Sequence, residues 1–187
     1  TPDIREKYTD ESQYTIIKNP GFFGYKLCFN MENTPALKNK AVRQAIAYAV
    51  NKDDLIDKVE RGAAIQASAG YLPLESIWYN ENTINYDYDP EKAKELLDGK
   101  TYDFVLTISS STKEVRMAEL IKLNLAEVGI NVTVESVESK TRDSMYKSGG
   151  YQLLLNGHGG WGNDPDLLRD AYAEGAISGY SNDEINR

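Results

Sequence analysis

The sequence is short of the residues that most often carry chemistry. Among its 187 residues are one cysteine, Cys28, and one histidine, His158. A single cysteine excludes an internal disulfide. A nucleophilic thiol needs a base as partner, and His158 is far from Cys28 in sequence. Cys28 lies in the apolar run Tyr25-Lys26-Leu27-Cys28-Phe29 and reads as a buried thiol in a core strand. No run of 18 apolar residues exists, so no transmembrane helix is predicted. Positive charge is also scarce: 21 Lys and Arg stand against 29 Asp and Glu, for a net charge of −8. That balance argues against a binder of duplex nucleic acid, which needs a basic surface to displace phosphate counterions. It argues equally against docking on an anionic membrane face. The opening residues, Thr1-Pro2-Asp3-Ile4-Arg5, include no initiator Met, basic region or apolar region of a signal peptide. The chain reads as an excised piece, so this says little about where the parent protein resides.

What is present is the composition of a globular domain, 41% hydrophobic and 27% charged. Helical signals are clear from Asn39 to Gly62. Val42, Ala45, Ile46 and Ala49 recur at helical spacing and form one apolar face. Asn39 is placed to cap the first helix, and Asn51 to cap a second, with Asp53 and Asp54 at its positive end. Leu55, Ile56 and Val59 form the next stripe, and Gly62 closes the segment. Asp89-Pro90 opens another helix with a cap and a proline at the first helical position, and Asp98-Gly99 ends it. Between these lies 63–88, aromatic and without periodicity, which reads as coil packed along the surface.

The clearest unit runs from Asp103 to Val137. Phe104, Leu106 and Ile108 alternate with Val105 and Thr107 as a strand. Ser111 and Glu114 have the spacing of a capping box. A helix follows to Val128, with Ala118, Ile121, Leu125 and Val128 on one face, and Gly129 in the position that needs a left-handed backbone. Ile130, Val132 and Val134 then alternate as a second strand. Strand, helix and strand predict a βαβ unit with two parallel strands and a right-handed crossover. A short helix over 140–147 and a compact apolar strand over Tyr151–Leu155 come next, preceding a glycine-rich loop. The last residues, from Gly179 to Arg187, start what reads as a further capped helix and stop within its first turn. No internal repeat is visible.

Three constellations invite a chemical reading. The loop Gly157-His158-Gly159-Gly160-Trp161-Gly162 follows a strand, as phosphate-binding loops do, but lacks both the GxGxxG spacing and the Lys-Ser/Thr of a P-loop. His158, Asp164 and Asp166 are three metal-ligand types in a short span, and a metal-dependent hydrolase built on them is one reading. Their spacing matches no zinc pattern, and incidental loop polarity or a helix start at Asp164-Pro165-Asp166 is the simpler account. Trp161, flanked by glycines after a strand, has no local neighbours to bury it. It must pack elsewhere in the fold or line a cleft, and open α/β sheets collect ligands beyond the carboxyl ends of their strands.

Taken together, the motifs resemble those of the family 5 extracellular solute-binding proteins, which serve ABC transporters. The segment Val42-Arg43-Gln44-Ala45-Ile46-Ala47-Tyr48-Ala49-Val50-Asn51-Lys52 is similar to a signature of that family. Further similarities follow in order: Phe29-Asn30, Gly62-Ala63-Ala64, Leu72-Pro73, Trp78-Tyr79, Tyr88-Asp89-Pro90-Glu91-Lys92-Ala93, Ala126-Glu127-Val128-Gly129-Ile130, Tyr151 to Trp161, and Gly179-Tyr180-Ser181-Asn182. The resemblance covers nearly all of the chain from Phe22 onward. It implies an α/β fold of the type II periplasmic-binding-protein kind, with a mixed sheet, a βαβ unit and flanking helices. Residues 1–21 would be a linker or strand from a preceding lobe, and 22–187 most of a ligand-binding lobe, truncated at its C-terminus.

The same resemblance implies function. The chain would be part of the substrate-binding component of an ABC importer, holding peptides or a related small solute between lobes, without catalysis or cofactor. Trp161 and neighbouring Gly160 would shape the site, and Asp164 would pair with a peptide's amino group through a charge-assisted hydrogen bond. In peptide-binding members several residues separate that Asp from a following Asp-Pro. Here Asp164 itself precedes Pro165, which leaves Asn163 as the alternative polar anchor. The shorter loop is nearer to members that bind nickel chelates or other non-peptide solutes, yet Asp166 stands where a nickel-type His is expected. Oligosaccharides are also carried in this family. The implied partners are membrane permease subunits and the solute, with no nucleic acid, and the implied state is a monomer. The implied location is extracytoplasmic, as a periplasmic protein or membrane-anchored lipoprotein.

Overall fold

A computed structural model describes residues 6–8, 10, 13–15, 17, 23–68, 77–159 and 183–184. Among the described residues the strands are β1 (Gly24–Phe29), β2 (Tyr102–Ser109), β3 (Ile130–Val137) and β4 (Leu153–His158). The helices are α1 (Lys40–Ala49), α2 (Lys52–Lys58), α3 (Pro90–Leu97), α4 (Thr112–Glu127) and α5 (Ser139–Ser148). The four strands form one mixed sheet in the order β1-β4-β2-β3. β4, β2 and β3 are parallel, and β1 joins β4 antiparallel.

Local chemistry sets most of the element ends. The Asn39 side chain accepts from the Ala41 N–H at 3.0 Å, and Asn51 accepts from the Asp54 N–H at 3.1 Å, so the tandem helices are separately capped. Asp89 accepts from the Lys92 N–H at 2.8 Å. Ser111 accepts from the Glu114 N–H at 3.3 Å. The return half of that capping box does not form, because the Glu114 carboxylate is engaged elsewhere. Gly129 closes α4 with φ +91°, a backbone that a side chain would strain. Two short 3-10 turns, Glu6–Tyr8 and Pro35–Lys38, are not expected from the sequence, and the second packs against the core. It buries Leu37 under α1.

Val42, Ala45, Ile46 and Ala49 of α1 are all buried, as their spacing predicts. They join Ala93 and Leu97 of α3, Ala118, Ile121 and Leu125 of α4, and Phe104, Leu106, Ile108 and Ile130 of the sheet in one core. In 63–68 and 77–88 there is neither helix nor strand. This segment docks through Tyr86, whose ring packs edge-on against Tyr48 with centroids 5.1 Å apart and whose hydroxyl accepts from Gln44.

The β2-α4-β3 unit is the predicted βαβ. From β3 the chain returns past β2 to β4 through α5. Two right-handed crossovers running in opposite directions place their helices on opposite faces of the sheet. The alternation agrees: Phe104, Leu106 and Ile108 point to the α4 face, whereas Val105 and Thr107 point to the other.

The last strand departs from the sequence reading. It spans Leu153–His158 rather than Tyr151–Leu155, so Gly157 and His158 belong to a strand and not to a glycine-rich loop. Pairing with β1 explains the shift, since Gly24 stands opposite His158 and Tyr25 opposite Gly157. Cross-strand bonding to a distant segment overrides glycine's weak strand preference.

A candidate solute site at the carboxyl end of β4

The parallel strands β2 and β4 end on the same edge of the sheet, where α/β folds present their ligand crevices. The β2 end is held by a buried charge pair. One carboxylate oxygen of Glu114, in the first turn of α4, accepts from the Ser109 N–H at 2.7 Å. The other accepts from Arg142 Nη1 at 2.8 Å. Arg142 lies in the first turn of α5 and also donates to Asp143 through Nε and Nη2. Two helices on opposite faces of the sheet are thereby tied together around its carboxyl edge. No local pattern signals this, because Glu114 and Arg142 are 28 residues apart.

At the β4 end the two faces differ. In an antiparallel pair, residues directly opposite share a face, so Lys26, Cys28, Asn156 and His158 lie along one face of the sheet, with Lys26 reaching Tyr146 of α5. The Lys26 ammonium sits 5.3 Å from the centre of the Tyr146 ring and 3.4 Å from its hydroxyl. Burial pulls its proton affinity below the ordinary lysine range, with neighbouring Cys28 opposing the shift. Burial, with Lys26 adding to it, lowers the His158 imidazole to about 4, so the ring is neutral at pH 7. Cys28 is half-buried, not in the main core, and faces away from it beside Leu154. Burial pushes its thiol up to about 11, against the pull of Lys26 and Arg142, and leaves it protonated and unreactive. In the sequence Lys26 stands out only as a charge within an apolar run. A lone lysine inside such a run is the one signal that marks this half-buried cation.

On the opposite face, Tyr25 packs toward the core, and Phe23 meets its ring edge-on with centroids 5.2 Å apart. Both rings lie over Gly157. A separate open groove of about 290 Å³ is lined by Asn33, Val105, Thr107, Glu135, Tyr151 and Gln152. It opens at the amino end of β4, the wrong end for the loop that follows the strand.

Of the residues that the sequence singles out, the structure describes His158 and places it on β4. Gly160, Trp161, Asn163, Asp164 and Asp166 lie outside the described residues. Among the described residues, no group of three His, Cys, Asp or Glu side chains is placed to hold a metal ion. Nor is any helix among them long and apolar enough to cross a membrane.

Comparison with known proteins is consistent with this arrangement. The sequence model for bacterial extracellular solute-binding proteins, family 5 middle portion, matches residues 1–179. The chain is 33% identical over 173 residues to a dipeptide-binding protein of Escherichia coli K12, covering 88% of this chain and 32% of that protein. It is 33% identical over 190 residues to heme-binding protein A of Haemophilus influenzae, covering 96% and 34%. The chain thus spans about a third of the length of these relatives. In three dimensions it matches a periplasmic binding protein associated with an ABC transporter from Helicobacter pylori, solved with the peptide STSA. That match has a TM-score of 0.84 at 27% identity, over 98% of this chain and 38% of the other. None of these is a hydrolase, and they lend the metal-hydrolase reading no support. By its sequence motifs, its mixed sheet and a family match across residues 1–179, the chain belongs to the bacterial extracellular solute-binding proteins of family 5.

Proposed function

We propose that this chain forms most of one lobe of the substrate-binding component of an ABC importer. Residues 22–187 would be the lobe and 1–21 its connection to a preceding one. A peptide or related small solute binds between the two lobes and is handed to membrane permease subunits outside the cytoplasm. The single observation that carries this reading is the family match across residues 1–179. The fold supports it, because β4 ends at the sheet edge where ligands collect and runs directly into the Gly160–Asp164 segment. There Trp161 and Gly160 supply shape, and Asp164 or Asn163 supplies the polar anchor. A carboxylate held for an ammonium in a closed cleft makes a strong, directional bond. No residue is assigned a catalytic role.

The test is mass spectrometry of small molecules released by denaturing the full-length protein after gentle purification. Release of peptides is the expected result. Release of a nickel chelate or an oligosaccharide would reassign the solute within the same family. A full-length protein that releases no solute and binds no peptide would overturn the proposal.

A further inference from the structure

Val105 and Thr107 of β2 point to the sheet face opposite α4, where Asn131, Thr133 and Glu135 of β3 stand exposed beside them. An exposed polar sheet face is ordinarily only a solvated one. This face carries the groove of about 290 Å³, near the lower size of ligand sites, and its polar heads are held in place. The Glu135 carboxylate accepts from the Thr107 hydroxyl at 3.1 Å, and Thr107 is itself buried. From the other side of β2, the Gln152 side-chain oxygen accepts from the Val105 N–H at 2.8 Å. A backbone N–H can only donate, so this bond settles which way the amide faces. The Gln152 Nε2 is left without a partner among the described residues.

Charge selects the ligand. Among the described residues lining the groove, Glu135 is the one charged side chain. Its second carboxylate oxygen is unpaired among the described residues. The α5 helix ends at the same place, since Gly149, its C-cap at φ +73°, and Gly150 form part of the wall. A helix C-terminus carries about half a negative charge and favours a cation. Lys147, in the last turn of α5, is exposed and outside the lining. A positive group therefore suits one end of the groove, and Gln152 Nε2 calls for an acceptor on the same ligand. Val105 and the ring of Tyr151, which is 7% exposed, give an apolar wall for a short stem between them.

We propose, independently of the solute reading, that this groove binds a small organic cation, a primary ammonium joined by a short carbon stem to a carbonyl group. The ammonium pairs with the free Glu135 oxygen in a charge-assisted hydrogen bond. The carbonyl accepts from Gln152 Nε2, and the stem lies against Val105 and Tyr151.

The test is NMR titration of the methyl-labelled full-length protein with γ-aminobutyramide and with valeramide, its uncharged isostere, at constant ionic strength. γ-Aminobutyramide moves the methyl signals of Val105 and Thr107 saturably, with a Kd of about 0.1–10 mM, the strength of one partly exposed ion pair and a hydrogen bond. Valeramide binds at least about tenfold more weakly. Glu135→Gln, an isosteric change at an exposed side chain, weakens γ-aminobutyramide about tenfold. Equal affinity for the two probes, or a Glu135→Gln variant that binds as the wild type does, overturns the inference. So does a titration that leaves Val105 and Thr107 unmoved at about 50 mM, above the expected range.

Discussion

Replacing Arg142 with alanine is the most demanding test of how this lobe is held together. Glu114 and Arg142 side chains are only 6% and 10% exposed, and their charged atoms are 2.8 Å apart. Removing the guanidinium leaves a buried carboxylate with one remaining donor, the Ser109 N–H. Breaking a buried pair from one side costs about 3–5 kcal/mol, because the surviving charge has neither water nor a counter-charge. With a urea dependence of about 1–3 kcal/mol per molar, the midpoint falls by at least about 1 M. The partner experiment separates charge from volume. Glu114→Gln combined with Arg142→Met retains an acceptor for Ser109 and fills the same space without ions. Such replacements are often near neutral, so the double variant lies within about 2 kcal/mol of wild type. Urea unfolding of a protein carrying this chain, followed by circular dichroism at neutral pH, measures both. If Arg142→Ala costs less than about 1 kcal/mol at unchanged slope, the pair is not the buried latch described above. A double variant as damaged as the single one would refute the charge argument in the same way.

Two further outcomes follow from the strand end and the helix end. The His158 imidazole in the folded protein titrates near 4, well below the ordinary histidine value of about 6.5. Its contribution to stability is therefore complete above about pH 6.5 and is lost as pH falls toward 4, where the unfolded chain binds the proton and the folded one resists it. After discounting for partial solvent screening the loss is about 1–2 kcal/mol. NMR titration of the ring gives the value directly, and an inflection near 6.5 would contradict it. Gly129→Ala places a side chain at φ +91°, although its β-carbon would meet only Thr101 Cγ2 at an ordinary 3.6 Å. The expected cost is roughly 1–2 kcal/mol of backbone strain, measured by thermal unfolding. An unchanged midpoint would show that the turn after α4 can relax.

Much of the scaffold is legible in the sequence because its determinants are local. Asn39, Asn51, Asp89 and Ser111 each cap a helix through a neighbour two or three residues on. The β2-α4-β3 unit reads from alternation and one capping serine. Errors occur where the partner is distant. Glu114 has the spacing of a capping box, but its carboxylate turns to Ser109 and to Arg142, which no window of sequence contains. Gly157 and His158 look like loop residues until β1 is laid beside them. The candidate site is legible in another way. Trp161, flanked by glycines, has no local packing partner in sequence, and the proposal of Gly160, Trp161, Asn163 and Asp164 as solute contacts rests on the family resemblance. Lys26 escapes both, since Tyr146, the ring its ammonium meets, lies 120 residues along the chain.

The antiparallel seam between β1 and β4 has a kinetic consequence. Leu27 pairs with Leu155, more than a hundred residues along the chain, whereas Leu106 pairs with Val134 after a single helical crossover. Closing the longer loop costs about 1.3 kcal/mol more in chain entropy, before any contact compensates. The parallel unit can therefore assemble by itself, and the seam is added to it late in folding. Hydrogen exchange would then find the amides of β1 opening before those of β2 and β3. Phe23, Tyr25, Gly157 and His158 all sit on that late seam. A nascent or partly unfolded molecule thus has a parallel sheet well before β1 covers the open edge of β4.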